Sequence, residues 1–332
     1  MHLGFTGDIS FNNDVASDVF ARVAPRLRCP MFINLESVLV EPGTELHPAR
    51  DKILLWSPAE RLALLEAFDV AVVCLANNHI GDYGNEVARR TLELSSSIYP
   101  TFGAGAAKEC FHRYLLETSG TRLALLAYVQ PDCAPLVASE TRIGPRAFND
   151  ATWQEDLAWA RGEGDHVVVT LHWGDVHTHC PRPDQVAFAR SLVDEGADLV
   201  IGSHTHAVQG YERHRGKYIF YGLGNFLFPD VRVEVNGRRI VKRNLRRNRW
   251  GLVPVFEFTK GGVELAGLHV VRHTSRRPEL VGGGQKARQL RRFSDWVRSP
   301  ELERLCEKIR GRERRWKRVE ESLVRRFGWL GF

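Results

Sequence analysis

A series of short apolar runs limits what this chain can fold into. His2–Gly7, Met31–Ile33, Val70–Leu75, Leu123–Val129, Val167–Leu171, Leu199–Ile201 and Lys217–Tyr221 are too brief for buried helices and rich in residues that suit a pleated surface. Helix-patterned stretches lie between them. Asp14–Ala24 is one; Ser57-Pro58 opens a second, with Ser as N-cap, Pro at the first position and Leu62, Leu64, Leu65 and Phe68 on its buried side. Asn85–Leu94 and Pro183–Asp194 are two more, and Leu252–Phe258 with Val263–Val271 reads as a closing hairpin around Lys260-Gly261-Gly262. Strands alternating with helices predict an α/β sandwich, and 332 residues with 43% hydrophobic content are enough to bury its core.

The residues that end these runs carry the chemistry. Asp8, Glu36, Asn78-His79, His172 and the pair His204/His206 each stand at or just after the C-terminal end of a run. Open α/β sheets place their sites at those ends. One such residue is ordinarily a turn former. Together they offer carboxylate, amide and imidazole donors without a thiolate, a mix that suits a divalent metal. His204 and His206, two residues apart beyond a strand, are expected to point the same way and reach one point.

Composition narrows the setting. The six cysteines are scattered with no Cys-x-x-Cys pair, and Cys74 sits in an apolar run as core filler, so a reducing compartment is expected in preference to a disulfide framework. No basic leader with an apolar stretch opens the chain and no run is long enough to span a bilayer, so the expectation is a cytoplasmic protein, with peripheral membrane contact as its one variant. The net charge of +6 is modest but uneven. Arg238-Arg239, Lys242-Arg243, Arg246-Arg247 and Arg249 crowd one stretch, read either as a solvated edge or as a surface for an anionic substrate. Gly282-Gly283-Gly284 reads as a linker dividing residues 1–280 from an Arg-rich amphipathic helical extension at 285–332. Along it Leu302, Leu305, Ile309, Trp316, Val319 and Leu323 form a one-sided apolar stripe, for packing on the body or on a second copy. Trp316, Phe327 and Trp329 among the arginines make an anionic membrane surface the other partner, whereas no nucleic-acid motif accompanies the charge.

Gly7-Asp8, Asn34-Leu35-Glu36-Ser37, Ala76-Asn77-Asn78-His79 with Asp82-Tyr83-Gly84, Gly103-Ala104-Gly105, His172-Trp173-Gly174, Gly202-Ser203-His204-Thr205-His206 and Gly222-Leu223-Gly224-Asn225-Phe226 follow in order along roughly the first 230 residues. In that order the chain resembles CapA-type proteins, the poly-γ-glutamate capsule biosynthesis branch of the calcineurin-like metallophosphoesterases. The resemblance implies a four-layer α/β/β/α sandwich with a two-metal site at the sheet edge. It implies that Asp8 and His206 bind the first metal, that Glu36 bridges, and that Asn78, His172 and His204 bind the second. His79 would act as general acid or stabilise the transition state, and Asn34 and Asn225 would orient the ligands. The activity implied is a hydrolase that uses a metal-activated water on a phosphate ester or other anionic substrate, linked to capsule or poly-γ-glutamate biosynthesis. Two divalent ions, manganese, iron or zinc, would lie roughly 3.5–4 Å apart.

Two positions depart from the family pattern. Ser10 stands where the wider superfamily has a His two residues after the first Asp, which implies a weaker first metal site. After His172-Trp173-Gly174 the relatives carry an acidic and then an aromatic residue where this chain has Val176 and His177. His177-Thr178-His179 is expected either as exposed loop or as substitute ligands and substrate contacts. The alternative to hydrolysis is a non-catalytic metal-site scaffold that binds an anionic polymer.

Overall fold

A computed structural model describes residues 1–12, 15–47, 54–107, 109, 111–134, 136–148, 152–235, 238–242, 244, 248–274, 277–282 and 284–327, with the side chains of 232–240, 242, 314 and 316–327 left aside. In chain order its strands and helices are β1 (His2–Ile9), β2 (Met31–Leu35), β3 (Val38–Val40), β4 (Trp56–Pro58), β5 (Val70–Cys74), α1 (Gly84–Ser96), β6 (Thr101–Phe102), β7 (Arg113–Thr118), β8 (Thr121–Val129), α2 (Trp153–Glu163), β9 (His166–His172) and α3 (Pro183–Asp194). There follow β10 (Leu199–Ser203), β11 (Tyr211–His214), β12 (Lys217–Phe220), β13 (Asn225–Leu227), β14 (Val231–Val235), β15 (Arg238–Lys242), β16 (Trp250–Thr259), β17 (Gly262–His273), β18 (Pro278–Leu280), α4 (Gly284–Arg298) and α5 (Leu302–Phe327).

Two sheets make the body. The larger runs β18-β17-β16-β1-β2-β5-β6, with β13 also paired to β1, and the smaller runs β11-β12-β10-β9-β8-β7. Strands buried on both faces read as unbroken apolar runs, and Phe32-Ile33, Val72-Val73, Leu123–Val129 and Val167–Val169 are of that kind. The faces sort into three apolar layers. Leu3, Phe5, Phe32, Val72 and Phe256 from one sheet meet Leu123, Leu125, Val168, Leu199 and Phe220 from the other. The outer face of the large sheet packs Ile33, Val73 and Phe226 against Leu62, Leu65, Val87 and Ala88. The outer face of the small sheet packs Leu126, Val169 and Ile219 against Leu157, Val186, Ala189 and Leu192. The result is the expected α/β/β/α sandwich.

Beyond β18 the chain stays attached. α4 buries Leu290 and Phe293 in the layer between the sheets and Val297 beside α3. Ser294 Oγ accepts the Tyr211 N–H at 3.1 Å. Cys180 and Cys306, with Cα atoms 5.7 Å apart, form a disulfide that ties α5 to the loop before α3. This corrects the reading of six unpaired cysteines: the partners lie 126 residues apart, and nothing in their spacing announces the bond. Among the described residues no helix is long and apolar enough to cross a membrane.

Two predicted helices are not α-helices. Between residues 17 and 23 the chain runs in turns bonded from residue i to i−3, such as Val23 N to Phe20 O at 3.0 Å, and ends in a 3₁₀ turn at Ala24–Arg26. Pro25 disfavours helical geometry at Ala24, and Phe20 is drawn into a ring cluster with Phe11, Phe68 and Phe226. Ser57 does not cap a helix either. It ends up in β4, where its Oγ accepts the Phe11 N–H at 2.9 Å and bonds Ser37 Oγ at 2.7 Å, and the Leu-rich stretch behind it is a 3₁₀ helix, Ala59–Ala67. Of the basic stretch, Arg238–Lys242 is β15, while Arg243, Arg246 and Arg247 lie outside the described residues. The side chains of Trp316, Val319, Leu323 and Phe327, and all of Trp329, lie outside them as well.

Candidate metal centre

Asp8 sits where the neighbours of β1 change. The first half of β1 pairs antiparallel with β16, Leu3 opposite Phe256. Its end pairs parallel with β13 on that side and β2 on the other, so Asp8 lies opposite both Asn225 and Asn34. A Cβ at Gly7 would run into the Gly224 carbonyl oxygen, so glycine there admits β13. Asn34 Nδ2 donates to Asp8 Oδ1 at 2.7 Å. Glu36, one residue past β2, is drawn beside it by its own N–H, which donates to the Ile9 carbonyl at 2.8 Å. Both carboxylates are fully buried.

The imidazoles come from the smaller sheet. Register places His172 at the end of β9 opposite Ser203 on β10, with His172 Nδ1 and Ser203 Oγ 3.0 Å apart. β10 stops at Ser203. His204 and His206 then take positive φ values of 82° and 50°, so two left-handed turns bring their rings in, where strand alternation was expected to do it. Left-handed backbone costs a non-glycine residue about 1 kcal/mol or more and persists only where the surroundings hold it. Here His204 N–H reaches toward Asp8 Oδ1 at 3.4 Å, and His206 O accepts from Asn248 Nδ2 at 2.7 Å.

Two clusters of electron-pair atoms result. His172 Nε2 lies 2.8 Å from Asn78 Oδ1, 3.0 Å from His204 Nδ1 and 3.4 Å from Glu36 Oε1. A single proton on Nε2 serves one of these neighbours well. His206 Nδ1 lies 2.9 Å from Asn225 Oδ1, 3.2 Å from Asp8 Oδ2 and 3.7 Å from Glu36 Oε2. Ligand atoms of Glu36, His172 and His204 all fall within 4.8 Å of one another, as do those of Asp8, Glu36 and His206. Glu36 belongs to both groups. Asp8 Oδ2 accepts no hydrogen bond among the described residues. Burial opposes charge on His206, but the Glu36 carboxylate and then Asp8 outweigh it and push the ring up to about 9. The site draws positive charge, and its oxygen and nitrogen donors fit divalent cations.

His79 stands at the edge of both groups. Its Nδ1 is 2.5 Å from Asp82 Oδ2, and its Nε2 is 3.8 Å from Glu36 Oε1. Asp82 is fully buried and also accepts the Leu55 N–H at 2.9 Å, so it is held in place from a second direction. The His79 N–H donates to Asn77 Oδ1 at 2.8 Å, and Asn77 Nδ2 ties back to the Leu35 carbonyl at 2.8 Å, which fixes the loop after β5 to the end of β2.

The remaining sequence candidates divide. Asn34 and Asn225 touch Asp8 and His206 as described. His177 lies on the His206 side, with ring centres 5.9 Å apart. His179 is engaged elsewhere: buried, its Nδ1 bonded to the Val208 carbonyl at 2.8 Å and its ring stacked on Phe293 at 4.8 Å. Ser10 is fully buried, and its Oγ has no hydrogen-bond partner among the described residues. Sequence reasoning missed Asn248, Ser203 and Phe228, whose ring lies 4.5 Å from that of His206. It quoted Asp82 without a role, although a carboxylate three residues after a histidine is a local signal. Asn248 has no such signal, since only the tertiary fold brings it to His206.

The chain is 29% identical over 246 residues to the capsule biosynthesis protein CapA of Bacillus anthracis, covering 71% of this chain and 60% of that protein, so it spans less than two thirds of that relative. It is 27% identical over 263 residues to the PGA biosynthesis protein CapA of Bacillus subtilis, covering 74% of this chain and 68% of the relative. A hypothetical protein of known structure from Thermus thermophilus shares the fold, with a TM-score of 0.50 at 14% identity over 82% of this chain and all of that one. The family described as bacterial capsule synthesis protein PGA_cap matches residues 2–230, from β1 through the end of β13 and every candidate ligand between, and the chain belongs to that family.

Proposed function

We propose that the protein is a metal-dependent hydrolase acting on a phosphate ester or another anionic substrate, in capsule or poly-γ-glutamate biosynthesis. The observation that carries this reading is the sharing of buried Glu36 between two three-residue groups of ligand-type atoms, with His79 beside it. Asp8, Glu36 and His206 would hold one divalent ion, and Glu36, Asn78, His172 and His204 the other. When bound, such ions supply Lewis acidity toward a phosphoryl oxygen and lower the pKa of water.

The chain's own residues do the rest. Asn34 Nδ2 holds Asp8 through one oxygen and leaves the other toward His206. Ser203 fixes the ring of His172 through Nδ1 and leaves Nε2 toward Asn78 and Glu36. Asp82 accepts from His79 Nδ1 and so orients the ring with Nε2 toward Glu36, on the side where a leaving-group oxygen needs its proton. Manganese, iron and zinc all suit this donor set, which does not select among them. The names of the CapA relatives support placing the reaction in capsule synthesis.

Hydrolysis of an aryl phosphomonoester and an aryl phosphodiester with added Mn²⁺ tests the reading. Turnover by the full chain that disappears in Asp8→Ala is the expected result. No turnover on either ester across Mn²⁺, Fe²⁺ and Zn²⁺ would move the reading to a scaffold that binds an anionic polymer without cleaving it.

A further inference from the structure

Asn248 lies beyond the family match, after the basic hairpin, and is fully buried. Its Nδ2 donates to the His206 carbonyl at 2.7 Å and lies 2.6 Å from His177 Nδ1. A carbonyl oxygen only accepts, so this atom is the amide nitrogen, and its second hydrogen points to His177. His177 Nδ1 must therefore accept, which leaves the ring proton on Nε2. The Asn248 backbone carbonyl is pinned as well, by Asn225 Nδ2 at 3.0 Å and His273 Nε2 at 3.0 Å. Asn225 in turn bonds the His206 ring, so one buried amide ties His177 to the His206 half of the centre.

His177 itself is set unusually. Its φ of 64° is left-handed, and its N–H is bonded to the Thr205 carbonyl at 2.6 Å, between the two histidines of the metal loop. It is partly exposed, and it belongs to neither group of ligand-type atoms. The loop that carries it is held from behind by the Cys180–Cys306 disulfide and by Arg310 Nε, 3.3 Å from Asp175 Oδ2. An imidazole at the rim, locked as an Nε2–H donor 5.9 Å from the His206 ring, suits an anionic oxygen held on that side of the centre.

We propose that His177 donates a hydrogen bond to an anionic oxygen of the substrate on the His206 side, and that Asn248 is the positioning residue that keeps His177 in the donor tautomer. This rests on the reading of the centre as one that takes a phosphate ester or similar anion. Asn248→Leu removes the donating amide, so the His177 proton is no longer confined to Nε2 and a lone pair can turn toward the substrate.

The test uses the full chain loaded with Mn²⁺ and inorganic phosphate as the probe, followed by calorimetry and, where the aryl ester turns over, by kinetics. His177→Ala is expected to weaken phosphate binding by about ten- to a hundredfold, the range spanned by a hydrogen bond to a charged group, and to raise KM more than it lowers kcat. His177→Gln, which retains an N–H donor, is expected to recover part of the loss. Asn248→Leu is expected to weaken phosphate binding in the same direction by less than His177→Ala, and to add little in the double variant, because one acts through the other. Metal content and circular dichroism of His177→Ala and His177→Gln are expected to equal those of the wild type, and the Asn248 variant, which also loses the bond to the His206 carbonyl, is compared at matched metal content. Phosphate binding without turnover, still weakened in His177→Ala, would sustain this inference while sinking the hydrolase reading. Unchanged phosphate affinity in His177→Ala, no phosphate binding by the wild type, or full additivity of the two substitutions would overturn it.

Discussion

At the residue scale, the centre depends on side chains with separate tasks, and substitution should separate them. His79 is paired to Asp82 and lies outside both ligand groups, so His79→Gln is expected to lower kcat by about 10²- to 10⁴-fold, the usual range for a lost acid–base group, with metal content unchanged by elemental analysis. Loss of metal together with turnover would make His79 a ligand. His273 allows a test away from the centre. Burial, aided by nearby Arg249 and opposed by bonds to Asn248 and Thr274, lowers its ring from the ordinary 6.5 to about 4. A depressed folded pKa contributes stability that is present above 6.5 and lost as pH falls toward 4, because the unfolded chain takes up the proton first. Denaturant titrations should therefore show a loss of about 3 kcal/mol across that window, and His273→Gln should remove this part of the slope.

At the scale of elements, strand ends were the legible part. The runs that became β1, β2, β5, β9 and β10 place Asp8, Glu36, Asn78-His79, His172 and His204 at one edge, and their polar ends were visible because apolar residues stop there. The glycines of Gly7-Asp8 and Gly202-Ser203 were legible as motifs, and their reason is close approach: a Cβ at either would strike the carbonyl of Gly224 or Tyr221. What could not be read depends on distant partners. The stretch ending at Ala24 has helical spacing, yet Phe20 answers to Phe68 and Phe226; Ser57 has the look of a cap, yet serves the Phe11 N–H. Asn248 becomes meaningful only once β13 and β16 bring it beside His206. The layer between the sheets can be probed through Phe256, which is fully buried against Phe5, Tyr218 and Phe220. Phe256→Ala is expected to cost about 3–5 kcal/mol in chemical unfolding, and a loss below about 1 kcal/mol would contradict a packed layer there.

At the scale of the whole molecule, the C-terminal helices and the sandwich hold each other. α4 fills the layer between the sheets, and the Cys180–Cys306 bond closes a loop of 126 residues that begins just after the His177 segment. Cys306→Ser is expected to lower stability by about 2–4 kcal/mol and to abolish the effect of reductant on the melting temperature, which in the wild type should fall on reduction. In the proposed function Glu36 joins two cation sites in one buried centre, and the most direct measurement is divalent metal content per chain, by elemental analysis of the purified protein and of Glu36→Gln after equilibration with Mn²⁺. About two ions per chain in the wild type, falling by more than one in Glu36→Gln, is the expected result. Metal absent from the wild type, or present equally in both proteins, would contradict the shared centre.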